Sequence, residues 1–323
     1  MNRPKAPIDP MTRDAQSRSL SPLLAAALLA FASACWGGNI TIGRAVSAEV
    51  PPVALSFWRW LLAFLILLPF ALAHVRRDWP AIRRHGGFLA LLAFFGMAAF
   101  HTALYLSVNY TTATNAALLV AICPVLVPLL SWAIYREPIT LRLVVAIVVS
   151  LFGVVIIVTR GAPELLLSIA FNKGDLVMLI AVFTWSVYTV LVKHRPQGLH
   201  PQSLLTATMV MAIVMLLPVY VWESLAVRAM PVTPESLATV AYVVVFASLL
   251  AFLAFNRGIE VLGPNIGGLF MHVVPVCAAV FAFVFLGERL QLFHGLGIAA
   301  IAAGIVLASW RNAAVLRTPS PRP

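Results

Sequence analysis

Polar and ionisable side chains inside long apolar runs are costly to bury, so the few present here are the natural place to look for chemistry. Trp36 and Asn39 sit one helical turn apart, on either side of the paired glycines Gly37 and Gly38. His101 and Tyr105 are four residues apart and share a helix face, as do Thr184 and Tyr188, with Trp185 between them. Asn115 opens a later run and His272 stands one turn before Pro275. An indole, amide, phenol and imidazole set of this kind can hold a small amphipathic solute through a few directed hydrogen bonds and ring contacts. It does not supply a nucleophile with its base, a P-loop, an HExxH pair or any cluster of metal ligands, so no cofactor or metal is expected. No Asp or Glu lies in the middle of an apolar run, which leaves His101 and His272 as the groups able to titrate near neutral pH along a pathway. Arg59 is the one permanent charge inside a run. Its place seven residues after Pro52, about 10 Å along a helix, gives it a structural role near the outer end: stacking on Trp58 or Trp60, snorkelling, or pairing with Glu49, with a solute carboxylate as the other option.

The elements that must position these groups are transmembrane helices. The 323 residues are 62% hydrophobic and 10% charged, where soluble domains carry roughly 25% charge. The net charge of +11 would point to nucleic acid in a soluble chain, but here the basic residues fall in short loops and tails, so the partners are the bilayer and a small solute, not nucleic acid. Cys35, Cys123 and Cys277 all lie in apolar runs without metal or redox spacing and are packing residues. A signal-peptide reading of the stretch ending Ala32-Ser33-Ala34 fails because apolar character continues past Cys35.

Ten spans are expected, at about 22–45, 53–74, 87–108, 112–135, 140–159, 174–193, 202–221, 236–256, 264–286 and 291–310. With the amino terminus in the cytoplasm, sixteen Lys and Arg fall on the cytoplasmic side and five on the other, which sets both termini inside. An internal repeat runs through the chain. Adding 149 takes Trp36 to Trp185, Pro52 to Pro201 and Pro69 to Pro218; adding 151 takes Pro124 to Pro275, Glu137 to Glu288 and Gly153 to Gly304. Each half has five spans, an odd number, so the second half enters the membrane with opposite polarity. Inverted repeats of this kind belong to secondary transporters, with the site between the halves. The fourth and ninth spans each carry a proline near the middle, which frees a backbone carbonyl that another group must satisfy. Glu137 and Glu288 stand at the turns before the fifth and tenth spans, where a carboxylate suits a helix N-terminus; they read as structural anchors first and gating residues second.

The run Ala34-Cys35-Trp36-Gly37-Gly38-Asn39, the triplet Phe57-Trp58-Arg59, the Pro124 span ending at Arg136-Glu137-Pro138, and Gly287-Glu288-Arg289-Leu290 resemble paired EamA domains of the drug/metabolite transporter superfamily in its ten-helix bacterial form. The resemblance covers about residues 22–310. It implies an all-α membrane protein of two inverted five-helix repeats, 22–160 and 174–310, between tails at 1–21 and 311–323. It also implies a bacterial inner-membrane permease, often an exporter of amino acids or other small metabolites. Arg136-Glu137-Pro138 departs from the family's usual Gly-Glu-Arg, so the first copy's turn is expected to differ locally. Two rival classes lack their sequence marks: an intramembrane enzyme on lipid-linked substrates needs acids, histidines or a nucleophile gathered at one face, and a scaffold or receptor needs a sizeable soluble domain.

Overall fold

A computed structural model describes residues 20–111, 113–162, 164, 172–277, 280 and 291–315. Ten helical segments follow one another across the described residues. They are α1 (Pro22–Ala45), α2 (Pro52–Arg84), α3 (Gly86–Ser107), α4 (Ala113–Val120 and Cys123–Tyr135), α5 (Leu141–Val158), α6 (Lys173–Lys193), α7 (Pro201–Val227), α8 (Pro234–Leu262), α9 (beginning Pro264–Cys277) and α10 (Leu292–Val315). Nine of these stretches are long and apolar enough to cross a membrane, and the described part of α9 is a shorter apolar helix. Leu65, Phe70, Val148, Phe152 and Val214 point outward on the bundle surface, as lipid-facing residues do.

The starts of the helices are written in local chemistry. Ser21 caps α1 and Thr140 caps α5 through their side-chain oxygens, and Pro occupies the first turn of α1, α2, α7 and α8. Asn172 and Asp175 form a capping box on α6. Two further starts are capped from far away. Glu223 on α7 accepts from the N–H groups of Val53 and Ala54 at 3.1 and 2.7 Å, closing the start of α2. Asp78 on α2 accepts from the His200 N–H at 2.8 Å, closing the start of α7. Each of these two helices therefore carries the acid that satisfies the free N–H groups and positive dipole end of the other.

The helices pair as an inverted repeat requires. α1 packs on α8 and α6 on α3, equivalent pairs when the halves are exchanged; α2 packs on α7, α4 on α9 and α5 on α10, each helix against its own counterpart. The α5–α10 seam is closed by glycines. A Cβ on Gly153 would stand 2.6 Å from the Gly297 carbonyl oxygen, and one on Gly304 2.6 Å from that of Ala146. The repeat extends to irregularities. A π-helical stretch at Phe94–Ala99 in α3 recurs at Val243–Leu250 in α8, and adding 151 takes the first to 245–250, inside the second.

The described parts of the fourth and ninth spans pack on each other. α4 is interrupted at Ala121–Ile122, just ahead of Pro124, and α9 tightens to a 3₁₀ turn at Phe270–His272, just ahead of Pro275. The carbonyls at these breaks are answered by side chains. His272 Nε2 donates to the Ala121 oxygen at 3.0 Å, and Ser33 Oγ donates to the Phe270 oxygen at 2.9 Å. Ala121 and His272 are themselves 151 apart, so the histidine of one copy closes the break of the other.

Candidate functional site

Helices α1, α3, α6 and α8 converge at the middle of the bundle. Trp36 on α1 meets Trp185 on α6 edge to face, ring centroids 4.8 Å apart, so the two residues related by the repeat touch where the halves join. Phe252 and Phe255 of α8 pack on the same pair, and Trp36 Nε1 donates to the Ala247 carbonyl oxygen at 3.1 Å. Beside them lies a cavity of about 20 Å³, lined by Trp36, Asn39, His101, Cys123, Trp185 and neighbouring apolar residues. That volume admits about one water molecule, so a larger solute needs the walls to part.

Behind the cavity wall runs a polar chain. Arg59 is fully buried. Its Nε donates to Ser248 Oγ at 2.9 Å, Nη2 to the Ala247 carbonyl oxygen at 3.1 Å, and Nη1 to the Tyr105 hydroxyl at 2.8 Å. The guanidinium lies 4.9 Å from the Trp60 ring centre. Tyr105 in turn donates to Asn39 Oδ1 at 2.7 Å, and Asn39 faces the cavity. The other half repeats this bond with the partners exchanged: Tyr188 on α6 donates to Asn256 Oδ1 on α8 at 2.7 Å. Adding 149 takes Asn39 to Tyr188 and adding 151 takes Tyr105 to Asn256, so amide and phenol have swapped helices between the copies. The Tyr188 ring fills the place of a side chain at Gly96, where a Cβ would come within 2.2 Å of it.

The two histidines differ in a way their sequence context did not show. His272 uses both ring nitrogens: Nε2 on the Ala121 carbonyl, and Nδ1 2.6 Å from Ser150 Oγ, which therefore donates to it. His101 uses one. Its Nδ1 donates to the Met97 carbonyl oxygen at 3.2 Å, while Nε2 is buried with no hydrogen-bond partner and presents its lone pair. The indole N–H groups of Trp60 and Trp185 are likewise buried without an acceptor.

Of the residues singled out from the sequence, Trp36, Asn39, His101 and Trp185 come together at the cavity, with Tyr105 directly behind. Tyr188 stands on the mirrored bond, and Gly37 and Gly38 are buried in an α1 that runs unbroken. Asn115 is elsewhere: its Nδ2 lies 3.3 Å from Asp175 at the start of α6. Arg59 needs correction. It neither snorkels nor pairs with Glu49; of the expected options the stacking on Trp60 is found, and because α8 packs against α2 the guanidinium points inward onto Tyr105 and Ser248. Glu137 also differs from expectation, because Thr140 caps α5 and leaves the carboxylate to Ser131 Oγ at 2.6 Å and His194 Nε2 at 3.5 Å. Glu288 lies outside the described residues. Sequence reasoning missed Ser248 and Asn256; the second was reachable by applying both repeat offsets to the Asn39 and Tyr105 pair.

Comparison with known proteins agrees with this architecture. The EamA-like transporter family model matches twice, at residues 23–159 and 172–310. The chain is 25% identical over 273 residues to the uncharacterized transporter YyaM of Bacillus subtilis, covering 84% of this chain and 89% of that one. It is 28% identical over 287 residues to an uncharacterized transporter of Archaeoglobus fulgidus, covering 87% and 95%. A solved crystal structure shares the fold with a TM-score of 0.69 at 17% identity, over 94% of this chain and 100% of that one. With two matched domains, ten helical segments paired as an inverted repeat and a buried polar centre between them, the chain belongs to the EamA-like transporter family.

Proposed function

We propose that the protein is a secondary transporter of the bacterial inner membrane that exports small metabolites such as amino acids or their derivatives, with both termini in the cytoplasm. Its solute site is the cavity between the repeats, where Trp36, Asn39, His101 and Trp185 make contact, and Tyr105 and Tyr188 hold the flanking helices. The observation that carries this reading is the meeting of Trp36 and Trp185, repeat-related residues, at a buried and largely apolar cavity with a polar chain behind its wall. An inverted repeat allows two conformations in which the halves exchange shape, opening the same site to one side and then the other. The tight cavity and the helix breaks at Ala121 and Phe270–His272 fit a site that opens by rearrangement of α4 and α9.

The test is uptake of radiolabelled metabolites into everted membrane vesicles from cells with and without the protein. Protein-dependent accumulation of one solute, reduced by Trp185→Ala, is expected; equal uptake across a broad metabolite panel would overturn the reading. Reporter fusions test the orientation. Cytoplasmic activity is expected after Arg77 and Lys193 and external activity near Glu164 and Arg228, and a periplasmic carboxy terminus would overturn it.

A further inference from the structure

Arg59 is a buried permanent cation with no acid beside it among the described residues. Among the described residues the ion pairs involve Asp78, Glu137 and Glu260, none of them with Arg59. The other buried carboxylates are already engaged: Glu223 by the Val53 and Ala54 N–H groups, and Asp175 by Thr111, Asn172 and Asn115. The guanidinium has five N–H donors, and its three hydrogen bonds reach only a serine hydroxyl, a tyrosine hydroxyl and a carbonyl. Removing a charge from water without an opposite charge costs several kcal/mol, and neutral acceptors return only part of it. A membrane protein that keeps such a charge at its centre, with a direct hydrogen-bonded route to a cavity, is built to meet an anion that arrives from outside.

We propose, on the reading that the central cavity is the transport site, that Arg59 is the receptor for a carboxylate on the transported solute. The Tyr105 hydroxyl now accepts from Arg59 Nη1 at 2.8 Å and passes the contact to Asn39 at the cavity wall. A carboxylate entering from the cavity takes that place, accepting from Arg59 and from the Tyr105 hydroxyl, and releases Asn39. Two further buried polar atoms, on residues that line the cavity, extend the recognition once the walls part. The Trp185 N–H is a free donor for the second carboxylate oxygen or another acceptor, and the His101 Nε2 lone pair is a free acceptor for an ammonium or hydroxyl on the same solute. Trp36, Phe100 and Trp185 favour an aliphatic or aromatic body. The second half offers no matching cation, because the residue 149 places after Arg59 is Thr208, so the site takes one anionic group.

The experiment uses the purified full chain. The probes are leucine, phenylalanine, 4-methylpentanoate and 3-phenylpropionate, each beside its carboxamide. Thermal stabilisation in detergent reports binding, and counterflow in proteoliposomes reports transport. The expected result is that at least one carboxylate binds about tenfold or more tightly than its amide. Arg59→Gln should abolish that preference, and Arg59→Lys should keep its sign while weakening it, since an ammonium retains the charge but not the fork. Amides binding as well as acids, or no carboxylate binding at all, overturns the proposal. So does an acid preference that survives Arg59→Gln; if that variant does not fold, an Arg59→Lys protein with unweakened preference does the same. Counterflow separates the two readings: transport of amides without acid preference sinks the carboxylate receptor and leaves the transporter, whereas carboxylate binding without flux of any bound solute sinks the transporter.

Discussion

The crossed Asn–Tyr bonds supply an internal control for the energetics of the centre. Tyr188→Phe removes one neutral hydrogen bond and leaves Asn256 Oδ1 buried without its donor. Interhelical hydrogen bonds in lipid average about 0.6 kcal/mol, and stranding a buried amide oxygen raises the loss to roughly 1–2 kcal/mol. Tyr105→Phe removes the equivalent bond to Asn39 and also the acceptor for Arg59 Nη1. A hydrogen bond to a charged group is worth about 1.5–3 kcal/mol, so the expected loss is roughly 2–4 kcal/mol. Both rings stay in place, so packing changes little and the comparison isolates the hydroxyls. Equilibrium unfolding by detergent titration in mixed micelles, run on both variants in parallel, measures the difference. Tyr105→Phe should be clearly the less stable. If Tyr188→Phe costs as much or more, then Arg59 draws no support from Tyr105 and the account of the buried cation fails.

Three further outcomes follow from packing and charge. Gly153→Val should separate α5 from α10 and cost about 3 kcal/mol or more, because even a Cβ there meets the Gly297 carbonyl oxygen at 2.6 Å; an unchanged unfolding midpoint would refute the close seam. Glu223→Gln should cost about 1–2 kcal/mol by weakening the cap on α2, and Asp78→Asn should weaken the start of α7 in the same way, both measured by the same titration. His200 stacks on His74 with ring centroids 3.7 Å apart, and burial, then His74 and Arg77, hold its pKa below the ordinary histidine value. The folded state therefore binds its proton later than the unfolded chain. Stability at that end of the bundle should fall as pH drops through the ordinary histidine range, about 6.5, and level off below the folded value; His200→Asn should flatten the profile.

The repeat was readable because prolines, tryptophans and glycines keep their register when apolar residues drift, and the two offsets predict which helices are equivalent, though not which of them face each other. The lining of the centre was partly readable for the same reason: Trp36 and Trp185 were already a pair. Arg59 was not, because its neighbours Tyr105, Ala247 and Ser248 come from helices 46 to 189 residues away, and one dimension gives depth along a helix but not direction around it. The histidines show the same limit. His101 and His272 have like sequence surroundings, yet only tertiary contacts decide that Ser150 and Ala121 consume both nitrogens of one and leave Nε2 of the other open. Long-range caps such as Glu223 on α2 are illegible in principle from local pattern, since an acid at one helix end says nothing about which distant N–H groups it meets.

The matching π-helical stretches in α3 and α8 bear on how the two halves can move. Wide turns of this kind are rare in helices and concentrate at functional sites. The first ends directly before Phe100 and His101, which line the cavity, and the second carries Ala247 and Ser248, which hold Trp36 and Arg59. Tightening either stretch to an ordinary helical turn would rotate the residues that follow it, so each half carries, in the helix that flanks the cavity, a place where the wall can turn without breaking.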